Sequence, residues 1–305
     1  MISGYNVDLE TQSYFEERSV LRDLGMRIGP DFPSVVPLGE IRNPVAALDS
    51  HALERLPNGK LISYLFSNPE VPNITSYDGI PNQWFRLDGT WPCTIDTMVH
   101  LRGQRESEVL KNVNNVLDFA CGNGPAGIYA AEKNSGIGAV TFLDIEPNAV
   151  YTARKNTDIS IRNGLWGFQE ADGLSIPPQK FDAIIASAIP STPGYPGLER
   201  PLNPLFEGTE VLEKLLSRAP EYMVEGAKLI LSHSSVGEEA FRELAEKYGA
   251  SVDRVLYERD VAFRVEFLND PKWVEHLEEQ GGLFRRKGEG FPYGHKVSVK
   301  EVSFS

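Results

Sequence analysis

The sequence predicts an α/β protein: a mostly parallel sheet covered by helices on both faces, preceded by an irregular N-terminal region. Two textures carry this reading, and they change over near residue 110. Beyond it, short β-type runs alternate with helical patterns, as in NVLDF then GPAGIYAAEKN, AVTFLD then PNAVYTARKN, and FDAIIAS then GTEVLEKLLSRAPEYM. Such alternation builds strand–helix–strand units around a parallel sheet. Before it, prolines recur through GPDFPSVVP, SNPEVPN, GIPNQ and TWPC and interrupt regular structure. We therefore expect an N-terminal substrate or lid region over 1–109 and the sheet domain over 110–305.

The remaining elements follow in order. TQSYFEERSVLRDLGMRIG is predicted as a helix and KLISYLFS as a strand within the N-terminal region. LWGFQEAD reads as a third strand of the sheet, KLILSHSS as the fifth, and GEEAFRELAEKYG as the helix after it. VDRVLYERDVAFRVEFL is a long strand, KWVEHLEEQ a short helix, and HKVSVKEVSF alternates with period two and closes the chain as a strand.

Bulk properties narrow the function. The formal net charge of −13 disfavours a nucleic-acid partner, because such affinity comes from Lys and Arg neutralising phosphates. The two cysteines, Cys93 and Cys121, stand in unrelated contexts, and neither CxxC nor HExxH occurs, so no metal site is expected. The opening MISGYNVDLETQ has no apolar core and no run approaches a membrane span, which makes a cytoplasmic protein the expectation.

The chemistry centres on VLDFACGNGPAG, residues 116–127. Gly122, Gly124 and Gly127 satisfy the spacing G-x-G-x-x-G between a strand and a helix, a pattern that lets backbone approach a ligand closely. A nicotinamide dinucleotide is one reading. Asp118 argues against it, since a carboxylate beside a pyrophosphate is repulsive, whereas a sulfonium and an ammonium group attract it. Asp144, ending AVTFLD, stands where an acid holds both ribose hydroxyls.

These motifs resemble the class I S-adenosylmethionine-dependent methyltransferases, a Rossmann-like fold whose last strand is antiparallel. VLDFACGNG is similar to their first motif, with Ala120 where many members have glycine; FLDIEPNAVYTARKN to the second; EADGL to the third; FDAIIASAIPS to the fourth. The resemblance implies S-adenosylmethionine as cofactor, with contacts at Asp118, Ala120, Gly122, Gly124, Asp144, Ile145, Asp172, Gly173 and Ser187.

Within that class, TWPCTIDTMVHL and NPLFEGTEVLEKLLSRAPEYMVEGAKLIL resemble the small-domain group that includes glutamine and ribosomal RNA N-methyltransferases. It implies a cofactor contact at Thr97. The group's Asn-Pro-Pro-aromatic segment is replaced here by Ala188, Ile189, Pro190 and Ser191, so the grip on a planar nitrogen is absent. We therefore expect a small-molecule acceptor, with a protein or RNA N-methyltransferase as the alternative. An NAD(P)-dependent oxidoreductase and a non-catalytic S-adenosylmethionine-binding protein stay open.

Candidates for the acceptor side are His233, Ser191 and Tyr195 as catalytic groups. Pro190, Thr192, Trp84 and Trp91 are candidate substrate contacts. Each has a plain alternative: His233 a hydrogen-bonded loop histidine, Ser191 and Thr192 turn residues, Tyr195 and the tryptophans packing. Arg285, Arg286 and Lys287 form a basic knot that meets either solvent or a substrate anion.

Overall fold

The computed structural model of the chain describes residues 26–27, 73–77, 80–84, 95–159, 164–187, 208–262, 271–286 and 293–305. Of the predicted helix TQSYFEERSVLRDLGMRIG only Met26 and Arg27 are described, and they form a short strand rather than helix, because their backbone pairs antiparallel with Tyr77 and Ser76. The rest of it and the predicted strand KLISYLFS lie outside the described residues, as do Trp91, Pro190, Ser191, Thr192, Tyr195 and Lys287.

Three short strands, β1 (Met26–Arg27), β2 (Asn73–Tyr77) and β3 (Ile80–Trp84), pair antiparallel in the order β1-β2-β3. Helix α1 (Ile95–Ser107) then leads into the main sheet. The sheet is built from β4 (Asn115–Phe119), β5 (Ala139–Asp144), β6 (Leu165–Glu170), β7 (Phe181–Ala186), β8 (Met223–Ser234), β9 (Ala250–Ala262), β10 (Phe284–Arg285) and β11 (Tyr293–Phe304). Its helices are α2 (Pro125–Lys133), α3 (Pro147–Ile159), α4 (Glu210–Tyr222), α5 (Glu238–Lys247) and α6 (Pro271–Glu279).

Read across, the strands run β6-β5-β4-β7-β8-β11-β9. The first five are parallel, and β11 is antiparallel to both β8 and β9. The antiparallel final strand implied by the resemblance is present, inserted one place in from the edge. The chain leaves β4 towards β5 and β6, then returns to β7 on the other side. That reversal opens a crevice outside the carboxyl ends of β4 and β7, where such sheets bind ligands.

Two cores sandwich the sheet. Val116, Ile185, Ile230 and Val299 face α1 and α2 with Val99, Ile128 and Tyr129, while Leu117, Ile184, Leu229 and Leu231 face α4 and α5 with Leu215, Leu216 and Phe241. Because both faces are covered, β4 and β7 read as continuous apolar runs. β11 is the exception to its own alternation: Lys300 and Glu301 are both buried. They are paired, Lys300 with Glu238 at 2.7 Å and Glu301 with Arg254 at 2.6 Å and Lys228 at 3.1 Å. Among the described residues no helix is long and apolar enough to cross a membrane.

Candidate functional site

The glycine turn is shaped by its neighbours before any ligand enters. Ala120 (φ 53°), Gly122 (φ 53°) and Gly124 (φ 86°) adopt left-handed backbone, which curls the chain tightly from β4 into α2. Pro125 opens the helix, where its missing N–H costs nothing. At Gly127, a Cβ atom would stand 2.7 Å from Phe142 and 2.8 Å from Asp118 Oδ2. The third glycine therefore lets the helix lie against the strands.

Asp118 has a clear structural partner. Its Oδ2 accepts the Gly127 N–H at 2.8 Å, satisfying one of the free amides of the α2 N-terminus. The side chain is buried, and burial pushes its carboxyl well above the usual range, with the Gly127 amide opposing and Asp144 adding to the rise. The acid expected beside a sulfonium thus clamps helix to strand.

Asp144 locks the turn from the next strand. Its Oδ2 accepts the Gly122 N–H at 2.8 Å and its Oδ1 accepts the Glu146 N–H at 3.0 Å. Burial raises its pKa, and these backbone amides counter the rise. The Cys121 N–H donates to the Leu143 carbonyl at 2.9 Å and the Ala171 N–H to the Asp144 carbonyl at 3.0 Å, so the ends of β4, β5 and β6 are tied together. Beside Asp144, Ile145 is an apolar side chain left 56% exposed at the end of β5. Cys121 is buried and its thiol is pushed up by that burial, so it is a packing group.

Other expected contacts are dispersed. Asp172 is exposed and both its carboxylate oxygens accept from Lys214 Nζ, at 2.6 and 2.7 Å. Gly173 follows with φ 59°, making the turn that presents Asp172 to α4. Thr97 is buried in the first turn of α1, and Ser187 directly follows β7 with its Oγ buried. Of Trp84, the backbone is described: it pairs with Asn73 in β3.

His233 is not brought to the glycine turn. Strand alternation places it with Leu229 and Leu231 under α5, on the face opposite Asp118, where its ring lies 4.8 Å from Phe241. Its Nε2 stands 3.3 Å from Glu238, and burial lowers its pKa, keeping the ring neutral. The serines on either side face the other way: Ser232 Oγ lies 2.6 Å from His100 Nδ1, and Ser234 Oγ lies 2.6 Å from His295 Nδ1. Sequence reasoning missed both pairs. The signal was present in SHS, where period two sets 232 and 234 against 233, and in DTMVH, where His100 falls one helical turn after Thr97. Among the described residues no group of His, Cys, Asp and Glu is arranged to hold a metal ion.

Comparison with known proteins places this geometry. Residues 106–193 match the family Methyltransferase small domain. The ribosomal protein L11 methyltransferase of Burkholderia thailandensis is 35% identical over 74 residues, 24% of this chain and 23% of that one. The protein of the same name from Burkholderia lata is 32% identical over 80 residues, 26% and 25% of the two chains. This chain thus spans about a quarter of the length of the curated relatives it matches. The structure of ribosomal protein L11 methylase from Lactobacillus delbrueckii subsp. bulgaricus superposes with a TM-score of 0.44 at 15% identity, covering 69% of this chain and 79% of that one. Over residues 106–193, the chain is thus related to the small-domain group of class I, Rossmann-like S-adenosylmethionine-dependent methyltransferases.

Proposed function

We propose that the protein transfers a methyl group from S-adenosylmethionine to a nitrogen on a protein. The observation that carries the cofactor half is the Asp144 corner: a strand-end carboxylate, an exposed apolar neighbour in Ile145, and a curled glycine turn. A dinucleotide suits this corner poorly. The Gly122 amide is already taken by Asp144, whose carboxylate a pyrophosphate there would face. A nucleoside without phosphates suits it well: Asp144 for the ribose hydroxyls, Ile145 for one face of the purine, and the turn for close approach.

The bound cofactor supplies the methyl group on a sulfonium. The chain has to position the acceptor in line, exclude water, and accept a proton where the acceptor carries one. Asp118 contributes indirectly, by fixing α2 against β4 and so setting the turn's shape.

For the acceptor, the relatives named as methyltransferases of a ribosomal protein support a protein, and the net charge of −13 weighs against RNA. A small-molecule acceptor is the second reading, favoured by Ala188-Ile189-Pro190-Ser191 in place of Asn-Pro-Pro-aromatic. The residues before 95 are the proposed source of specificity in either case.

The test incubates the protein with methyl-labelled S-adenosylmethionine and a fractionated cell extract. Label in protein supports the first reading, label in small metabolites the second, and salt-sensitive label in RNA overturns both. Asp144→Ala should weaken cofactor binding by about tenfold, roughly 1.4 kcal/mol, in calorimetry while the fold persists. Unchanged affinity would remove Asp144 from the ribose.

A further inference from the structure

Two buried polar atoms, on His100 and Ser187, have no hydrogen-bond partner; His100 has no role in the expected cofactor site, and Ser187, expected there as a cofactor contact, is reassigned below. His100 on α1 is fully buried, its Nδ1 fixed at 2.6 Å from Ser232 Oγ, while its Nε2 has no hydrogen-bond partner. Ser187 directly follows β7, and its Oγ is likewise buried and unpaired. Leaving such an atom unmet costs about 1–3 kcal/mol, so each orphan in a native fold asks for a reason.

The sheet register brings them to one place. Ala186 on β7 is level with Leu231 on β8, both facing α4 and α5. Ser187 and Ser232 each follow by one residue, Ser232 within β8 on the face of Ile230 and Ser187 just past the end of β7, two residues after Ile185, which faces α1 and α2. Ser187 therefore leaves the end of β7 next to the level of the serine that holds His100. Asp118 is level with Ile185 on the neighbouring strand and faces the same side, so the pair borders the crevice at β4 and β7.

We propose that His100 Nε2 and Ser187 Oγ form the subsite that holds the group to be methylated, by accepting a hydrogen bond from its N–H. Ser232 is the positioning residue: occupying Nδ1, it sets the imidazole plane and leaves Nε2 for the ligand. The subsite selects a neutral N–H donor, an amine in its free-base form or an amide. The nearby Asp118 carboxyl is given to the Gly127 amide and is not offered to the acceptor. On transfer, the acceptor nitrogen forms its bond to the methyl carbon as the carbon–sulfur bond breaks and its electron pair stays on sulfur. The nitrogen then gives its surplus proton to solvent, with His100 orienting the lone pair. The subsite deepens the function proposed above and rests on it.

The test separates the two ring nitrogens. His100→Asn keeps a polar group where Nδ1 meets Ser232, and His100→Gln puts one where Nε2 stands. Gln104→Leu is the control: Gln104 lies one turn further along α1, away from the strand ends, and its buried side-chain atoms are also unpaired. The assay uses methyl-labelled S-adenosylmethionine with the extract fraction that the wild type labels, alongside calorimetric cofactor affinity and thermal stability. Expected are a cofactor affinity within about twofold for all three and kcat/KM lowered about tenfold or more in His100→Asn. His100→Gln should retain clearly more transfer than His100→Asn, and Gln104→Leu should match the wild type. If His100→Asn transfers like the wild type, or Gln104→Leu falls as far, the subsite is overturned. A wild type that binds no S-adenosylmethionine and labels nothing would instead bring down the methyltransferase function, and the subsite with it.

Discussion

Gly127 shows how much a single hydrogen atom can decide. Its missing side chain lets the α2 backbone reach Asp118, and a methyl group there would overlap Phe142 and the carboxylate at once. Gly127→Ala should therefore destabilise the fold by about 1–3 kcal/mol in urea denaturation, as overpacking does. Wild-type stability would mean that α2 can lift off the sheet freely. Ala120 carries the opposite lesson. In sequence it is a modest replacement for glycine, yet at φ 53° an L side chain costs roughly 1 kcal/mol, a strain invisible without the backbone. The glycine spacing was legible in the sequence, and so was the Asp144 corner. That Asp118 serves the helix amide was not, because the pairing joins residues nine apart across a turn.

At the scale of elements, α5, β8 and β11 meet through His233, Glu238 and Lys300. His233 and then Lys300 hold the Glu238 carboxyl down to about 2 against the opposing effect of its partial burial. A depressed carboxyl contributes stability that is present above its unfolded value of 4.5 and lost as pH falls towards 2. Glu238→Gln should cost about 1 kcal/mol at pH 7, less than a buried pair would, because half of Glu238 faces water. The difference from wild type should shrink as urea melts are repeated from pH 5 down to pH 2.5. A difference independent of pH would mean that shape, not charge, joins the three elements. The strict alternation of HKVSVKEVSF predicts a strand that closes the chain, without saying what covers its faces. The fold places β11 between β8 and β9, and its Lys300 and Glu301 are buried because partners from α5, β8 and β9 reach them.

Across the whole molecule, buried neutral histidines set the acid limit. Burial lowers the pKa of His100 from 6.5 to about 3 and lowers that of His233 as well. In the unfolded chain both take protons below 6.5, while the folded chain resists, so their contribution is complete above 6.5 and lost as pH falls. For His100 the window runs from 6.5 to about 3, with a slope of up to about 1.4 kcal/mol per pH unit. His100→Gln should flatten the fall in urea-derived stability across that window. An unchanged slope would show that the imidazole is protonated in the folded state.

The sequence by itself determined the α/β class, the run of strands and helices from 115 onward, the glycine turn and its acids, since each is written in local periodicity or fixed spacing. Only the tertiary structure decided which side of β8 faces the crevice. That choice turned His233 away beneath α5 and brought His100 to Ser232, 132 residues apart in the chain. Period two says that neighbours in a strand point apart; which face receives which helix is settled by the packing of the whole sheet.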